Sequence, residues 1–357
     1  MASITPYETA QGKRYRVRYR KPDGRQTDKR GFTTLRAAEG FASRIEVTKA
    51  DGLYIDPTLG KVTVTDWSKR WLDGKSNLTE STRFRYEGII TNHIEPTFGG
   101  NAVSKVRHID VQEWISGQSG SPASVVKNHR VLSQILELAV KDGRLPSNPA
   151  KGVSLPKVRP AKRRYLTPSQ VEALAKESEE WGVLILVLAY CALRWGEMAA
   201  LKVEDVDMLR RRIHITKSVT VVNGRFVWGP PKDNQVRSVP IPKSVALELS
   251  KYLAGKERED LLFAGPRSGN PLRTKAAREM WFDAAVKSAG CPLKFTPHEL
   301  RHTAASLAVS AGANVKALQR MLGHAKASMT LDVYADLFDD DLDAVGVALD
   351  DIRARVV

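Results

Sequence analysis

Thr296-Pro297-His298-Glu299-Leu300-Arg301-His302 is the stretch on which the reading of this chain turns. Thr296 suits an N-cap, Pro297 a first helical position and Glu299 the acid of a capping box, so the sequence predicts a helix opening at Pro297. His298 and Arg301 stand three residues apart and therefore share a face beside the positive end of that helix. Such an end is a natural place for a phosphate group.

Working outward, an apolar run from Val183 to Leu193 leads into Cys191-Ala192-Leu193-Arg194-Trp195-Gly196-Glu197. Leu184, Ile185, Leu186, Leu188 and Ala189 read as a buried helix that Arg194 closes, and a charge at such an end must meet a partner. Glu197, three residues on, is placed to hold the guanidinium from behind. Lys232 falls in Pro230-Pro231-Lys232-Asp233-Asn234-Gln235, a turn-like segment between Trp228 and a strand near Val239; Lys217 is the second candidate for its role. A helix from about Val315 should end at Gly323, setting His324 just past a C-cap. Ser328 then reads as the cap of a short helix carrying Leu331-Asp332-Val333-Tyr334.

The chain has 357 residues, 42% of them hydrophobic, which predicts two or three domains with ordinary cores. A formal charge of +16 points to a polyanionic partner, because clustered Lys and Arg displace counterions condensed on nucleic acid. The longest apolar run is well short of the roughly 20 residues that span a bilayer, and no basic-then-apolar segment opens the sequence. The expectation is a cytoplasmic protein with no membrane partner. Cys191 and Cys291 form neither a disulfide framework nor a metal cluster.

His298 to His302 also matches the H-E-x-x-H pattern of zinc proteases. Here the pattern opens a helix, sets a guanidinium beside the would-be dication, and has no evident third ligand, so no metal is expected. Glu299 is better explained as the cap of its own helix, and His302 as a packed structural histidine.

The predicted fold class is mainly α with small β-sheets (α+β), in three parts. Residues 1–60 form a small ββ(β)α module: Arg14, Arg16, Arg18 and Arg20 alternate with Tyr15, Val17 and Tyr19, giving a strand with one cationic and one apolar face. Pro22-Asp23-Gly24 is a turn, a second strand runs to Phe32, and a helix follows from Leu35 to Gly52. Residues 61–153 read as a four-helix bundle with Trp67, Trp71 and Trp114 as core, its last helix capped by Ser121 and Pro122. Residues 154–164 form an extended basic linker with Lys162, Arg163 and Arg164 as DNA-contact candidates. Residues 165–357 form a mixed α/β domain with strands at Arg212–Thr216 and Ser238–Ile241, and an acidic amphipathic tail that includes Asp339, Asp340, Asp341 and Asp343.

Arg194, Lys232, His298 with Arg301, His324 and Tyr334, in that order, resemble the catalytic signature of the tyrosine recombinases, the phage integrase family. The resemblance implies that Arg194 and Arg301 grip the non-bridging oxygens of a scissile phosphate, with Glu197 behind. It implies that Lys232 protonates the departing 5′ oxygen, that His298 shares the proton of the Tyr334 nucleophile, and that His324 donates to the phosphate. It also implies a 3′-phosphotyrosyl intermediate and no cofactor. The bundle is similar to the family's core-binding (SAM-like) domain, and the first module to its arm-site binding domain. The resemblance further implies double-stranded DNA with core-type and arm-type attachment sites, a homotetramer on DNA coupled through the tail, and a host DNA-bending protein and an excision factor as accessories. Ala192 departs from the family's usual Gly, and the spacing from His324 to Tyr334 is slightly long. A Xer-like or resolvase-type recombinase is the nearest alternative, and a non-catalytic DNA-binding regulator is the alternative of another class.

Overall fold

The alternation of arginine with aromatic and β-branched residues builds the middle strand of an N-terminal sheet. The computed structural model describes residues 2–21, 24–50, 59–159, 163–266 and 269–334, with 346, 349–350 and 353–354 beyond them. The chain divides into two compact units, Met1–Arg159 and Pro160–Val357.

In the first unit, β1 (Ser3–Thr9), β2 (Gly12–Arg20) and β3 (Gln26–Phe32) form an antiparallel sheet with β2 central. Val17 and Tyr19 are buried with Ala38 and Ile45 of α1 (Leu35–Ala50), while Arg18 and Arg20 are exposed on the opposite face. The additional strand is β1, at the sheet edge. It contains Pro6, opposite Tyr15, and an edge strand tolerates a residue that donates no ladder hydrogen bond.

A separate core lies among α2 (Val64–Asp73), α3 (Glu80–Ile89), a π turn (Ile90–Ile94), α4 (Glu95–Phe98), α5 (His108–Gly117) and α6 (Pro122–Lys141). Ser121 caps α6 by accepting from the Ser124 N–H. Trp67, Trp71 and Trp114 are buried, and the indole N–H groups of Trp67 and Trp114 donate to the carbonyls of Ile135 and His93. All three are core residues, and the polar handles of Trp67 and Trp114 are satisfied.

The second unit begins with α7 (Pro168–Glu177), α8 (Gly182–Cys191) and α9 (Trp195–Met198). Next come β4 (Val206–Asp207), β5 (Arg212–Ile215), the hairpin β6 (Ser218–Val222) and β7 (Arg225–Gly229), and β8 (Arg237–Pro240), with sheet order β4-β5-β8. The remaining helices are α10 (Lys243–Leu253), α11 (Thr274–Ala277), α12 (Asp283–Ser288), α13 (Pro297–Ser310), α14 (Val315–Leu322) and α15 (Ala327–Tyr334). Almost wholly apolar and buried, α8 packs against α7, α10 and α13. Among the described residues no helix is long and apolar enough to cross a membrane. Lys162 and the tail residues Asp339, Asp340, Asp341 and Asp343 lie outside the described residues.

Two local expectations are corrected. Arg194 does not close α8. That helix stops at Cys191 because Ala192 turns left-handed (φ 57, ψ 32), and Arg194 is the N-cap residue of α9. Ser328 does not cap α15 but lies inside it, since the helix starts at Ala327. Gly196, within α9, has a packing reason: a Cβ there would lie 2.6 Å from the Val219 carbonyl oxygen, so only glycine lets α9 rest on β6.

The left-handed Ala192 costs about 1–2 kcal/mol in backbone energy, against about 0.8 kcal/mol gained from its buried methyl. Ala192→Gly should therefore unfold within about 1 kcal/mol of the wild type. Ala192→Val, branched at Cβ in a fully buried left-handed position, should lose more than about 2 kcal/mol in urea titrations.

Candidate active site

The site is organised by the end of one short helix. At the C-terminus of α14, Gly323 adopts φ 60, ψ 48. Its N–H donates to the Arg320 carbonyl at 3.1 Å, and the His324 N–H donates to the Gln319 carbonyl at 3.1 Å. This is a Schellman closure, which occupies the earlier carbonyls and leaves the last ones facing out with the helix's partial negative charge.

Three successive carbonyls there each receive an arginine. Arg237 Nε donates to Met321 O at 2.9 Å, Arg301 Nη2 donates to Leu322 O, and Arg194 Nη2 makes a longer bond of 3.4 Å to Gly323 O. Arg301, only 3% exposed on α13, also donates through Nη1 to the carbonyl of Ala192. Segments from α8–α9, β8, α13 and α14 are thereby drawn together. Gly323 is favoured by its left-handed backbone, and a Cβ there would crowd Arg237 side-chain atoms at 3.1 Å.

Glu197 lies behind the arginines with no solvent exposure. Its Oε1 accepts from Arg194 Nη1 at 2.8 Å and from Arg237 Nη1 at 2.9 Å; its Oε2 accepts from Arg237 Nη2 at 2.7 Å and from the Arg194 backbone N–H at 2.9 Å. Burial by itself raises the carboxyl pKa. The hydrogen bonds and charge of Arg237, with the backbone N–H and charge of Arg194, override it and hold the group at about 2.

His298 and His302 stand one turn apart on α13 with ring centroids 5.1 Å apart, edge to face. The capping box that opens this helix engages Glu299, whose carboxylate accepts from the Thr296 N–H at 2.7 Å and from its hydroxyl at 3.0 Å. His324 Nδ1 is 3.0 Å from Oγ1 of Thr330, a fully buried residue of α15. All three imidazoles are pushed down in pKa. Burial comes first for each; Arg301 and Arg194 follow for His298, whereas His298 and Arg163 follow for His302, which falls to about 4. His324, also at about 4, feels burial and then Arg301, Arg194, Arg237 and Lys232. Neutral imidazoles held among fixed cations form a site ready for an anion.

Lys232 is exposed in a single 3-10 turn between β7 and β8, near enough for its charge to bear on His298 and His324. Lys217 points elsewhere, 3.7 Å from Glu204 and 3.8 Å from Asp205. Tyr334 is the last residue of α15, one turn beyond Thr330; its side chain lies outside the described residues. The structure thus gathers Arg194, Glu197, His298, Arg301 and His324 around the α14 terminus, with Lys232 at its margin.

The remaining basic candidates make their own local contacts. Arg164 donates to the Leu293 carbonyl, and Arg163 is exposed with its charge bearing on His302. On the N-terminal sheet, Arg16 reaches Thr5 at 3.3 Å and Asp28 at 3.9 Å, and Arg20 donates to Gly24 O at 3.2 Å. Sequence reasoning missed Arg237 and Thr330. For Arg237 the available signal was an arginine five residues past Lys232, just ahead of the strand expected from Ser238; for Thr330 there was only its spacing of four from Tyr334.

A depressed folded-state pKa makes stability fall as pH drops through it, because the unfolded chain takes up the proton first. His302 and His324 should therefore cost stability between about pH 6.5 and 4, and Glu197 between about 4.5 and 2. Acid titration of folding should show both windows. Glu197→Gln should flatten only the lower one, and an unchanged lower limb in that variant would contradict the pairing.

Comparison with known proteins places this geometry in a family. The phage integrase family model matches residues 164–340, and the model of the phage integrase N-terminal SAM-like domain matches residues 63–118. A prophage phiRv2 integrase of Mycobacterium tuberculosis is 28% identical, covering 74% of this chain and 72% of that protein. The ICEBs1 integrase of Bacillus subtilis is 25% identical, covering 79% of each. Among solved structures, the Tn1549 transposon integrase bound to circular intermediate DNA superposes with TM-score 0.69 at 22% identity, over 79% of this chain and 99% of that one. A lambda integrase tetramer bound to a Holliday junction gives TM-score 0.60 at 18% identity, over 92% of this chain and 94% of that one. That span exceeds what residues 61–357 alone can supply, so the likeness of fold reaches into the N-terminal module. The two family models together cover most of the chain from Thr63 onward, and the chain belongs to the phage integrase family as a site-specific DNA recombinase of the tyrosine type.

Proposed function

We propose that this recombinase is a phage or mobile-element integrase that cuts one DNA strand with Tyr334 and rejoins it to another without ATP or a metal. The observation that supports this most is the seating of Arg194 and Arg301 on neighbouring carbonyls of α14 beside His298 and His324. Two guanidiniums set side by side match the non-bridging oxygens of a phosphodiester, which a planar fork binds with two donors and a permanent charge.

In the proposed step the Tyr334 phenolic oxygen attacks phosphorus, the P–O5′ bond breaks, and a 3′-phosphotyrosyl bond forms. His298, neutral at physiological pH because burial and Arg301 lower its pKa, takes the phenolic proton. Lys232 returns a proton to the departing 5′ oxygen. His324, fixed by Thr330 through Nδ1, keeps Nε2 for the phosphate when that nitrogen is protonated. The fixed cations stabilise charge on the five-coordinate phosphorus, a term for which losing one donor costs about 10²- to 10³-fold. Because one phosphoester replaces another, attack by a 5′ hydroxyl from a second strand reseals the backbone by the reverse path.

The N-terminal sheet would meet arm-type sites through Arg14, Arg16, Arg18 and Arg20, and Arg163 with Arg164 would border the core-type site. The exposure of Arg18 and Arg20 on the sheet face away from α1 supports this reading. The working form would be a homotetramer on double-stranded DNA in the cytoplasm, assisted by a host DNA-bending protein and an excision factor.

Two outcomes test the reading. On nicked duplexes drawn from DNA around its own gene, the wild type should form a covalent protein–DNA adduct. Tyr334→Phe should bind the same DNA and form none, while Arg301→Lys should slow the adduct by about 10²- to 10³-fold. Specific binding without any wild-type adduct would make the protein a regulator instead. Separately, Arg18→Ala with Arg20→Ala should weaken arm-type binding and reduce the slope of log K against log salt by about 0.9 for each phosphate that is no longer neutralised.

A further inference from the structure

We propose that Arg237 is a positioning residue for strand cleavage, holding Glu197 so that Arg194 faces the scissile phosphate, and coupling the Lys232 turn to the His324 turn. The inference rests on the function proposed above and deepens it. Arg237 opens β8, five residues after Lys232, and its side chain is only 7% exposed. One guanidinium makes three bonds that no other described residue combines: Nη1 and Nη2 to the two Glu197 oxygens at 2.9 and 2.7 Å, and Nε to Met321 O at 2.9 Å. It acts on the site's machinery at one remove, through the carboxylate that holds Arg194 and the helix end that carries His324.

Charge explains why the middle residue matters. Glu197 has no solvent exposure, so its negative charge must be met by donors within the protein. With Arg237 present, the carboxylate is shared, and Arg194 makes one side-chain bond to it while its side chain stays 21% exposed. Without Arg237, Arg194 becomes the nearest cation and should be drawn fully onto the carboxylate and away from the phosphate. Lysine cannot replace the arginine geometrically, because an ammonium is a point charge and cannot span both carboxylate oxygens while also reaching a carbonyl on its other side. The same side chain packs against Gly323, so displacing it also loosens the turn that sets His324.

The test uses the full chain on a nicked duplex, with single-turnover adduct formation and DNA affinity measured side by side. Arg237→Met should slow adduct formation by about 10- to 100-fold, the range seen when a residue orienting a catalytic group is removed, and leave DNA affinity unchanged. The discriminating variant is Arg237→Met with Glu197→Gln. A neutral amide no longer recruits Arg194, so the double variant should cleave at least as fast as Arg237→Met alone, whereas a merely structural role predicts that the two defects multiply. If Arg237→Met fails to fold, Arg237→Lys with and without Glu197→Gln carries the same comparison. Wild-type cleavage rates in the Arg237 variants, or multiplying defects, would overturn the proposal while the wild-type adduct left the parent reading standing. No adduct from the wild type would remove both.

Discussion

The end of α14 is the interaction on which the rest of the catalytic unit depends. A helix leaves its last carbonyls without internal partners, and here they meet Arg237, Arg301 and Arg194 in succession. Hydrogen bonds to a charged group contribute about 1.5–3 kcal/mol each, and the helix terminus adds an attraction of about 0.3–1 kcal/mol per cation. Those gains offset part of the cost of withdrawing three guanidiniums from water. Glu197, the buried counter-ion, supplies much of the remainder. Removing either the carboxylate or the helix end would leave like charges crowded in a poorly hydrated site.

Much of this architecture was legible because its causes are local. Thr296, Pro297 and Glu299 announce α13 within four residues, and Gly323 announces the end of α14 by the left-handed backbone it alone adopts cheaply. The arginine alternation in β2 likewise sets which face is buried, whatever lies next to it. The ordered catalytic signature came from family resemblance, and the fold draws most of its described members to one helix end. What stayed hidden depends on distant contacts. Nothing near Arg237 distinguishes it from Arg212 or Arg225, which open other strands; its burial and its three bonds exist only once α9, β8 and α14 meet. Thr330 reads as an ordinary helical residue until His324 turns toward it. The edge strand β1 was obscured by Pro6, and the end of α8 by an alanine in a conformation that its side chain disfavours.

In the proposed reaction the cluster would direct a phenol, a weak nucleophile at neutral pH, to a phosphate. Arg194 uses one Nη on Glu197 and the other on Gly323 O, two bonds from a fork with five donors, so it is oriented from behind while retaining capacity in front. Such preorganisation matters more than the number of charges. A cation that must reorient during the reaction loses much of its stabilising effect, whereas one already fixed by a carboxylate and a helix end acts without rearrangement.

The depressed histidines connect this electrostatic arrangement to substrate recognition. His324 is held near pKa 4 by burial and four surrounding cations. A phosphodiester bound among the same groups, as proposed, would cancel part of that field and so raise the pKa of His324. By linkage, any proton that His324 then takes up tightens the hold on the phosphate by the same factor. That reciprocity follows from the arginines crowded at the end of α14, the feature that also draws distant segments of the chain into a single site.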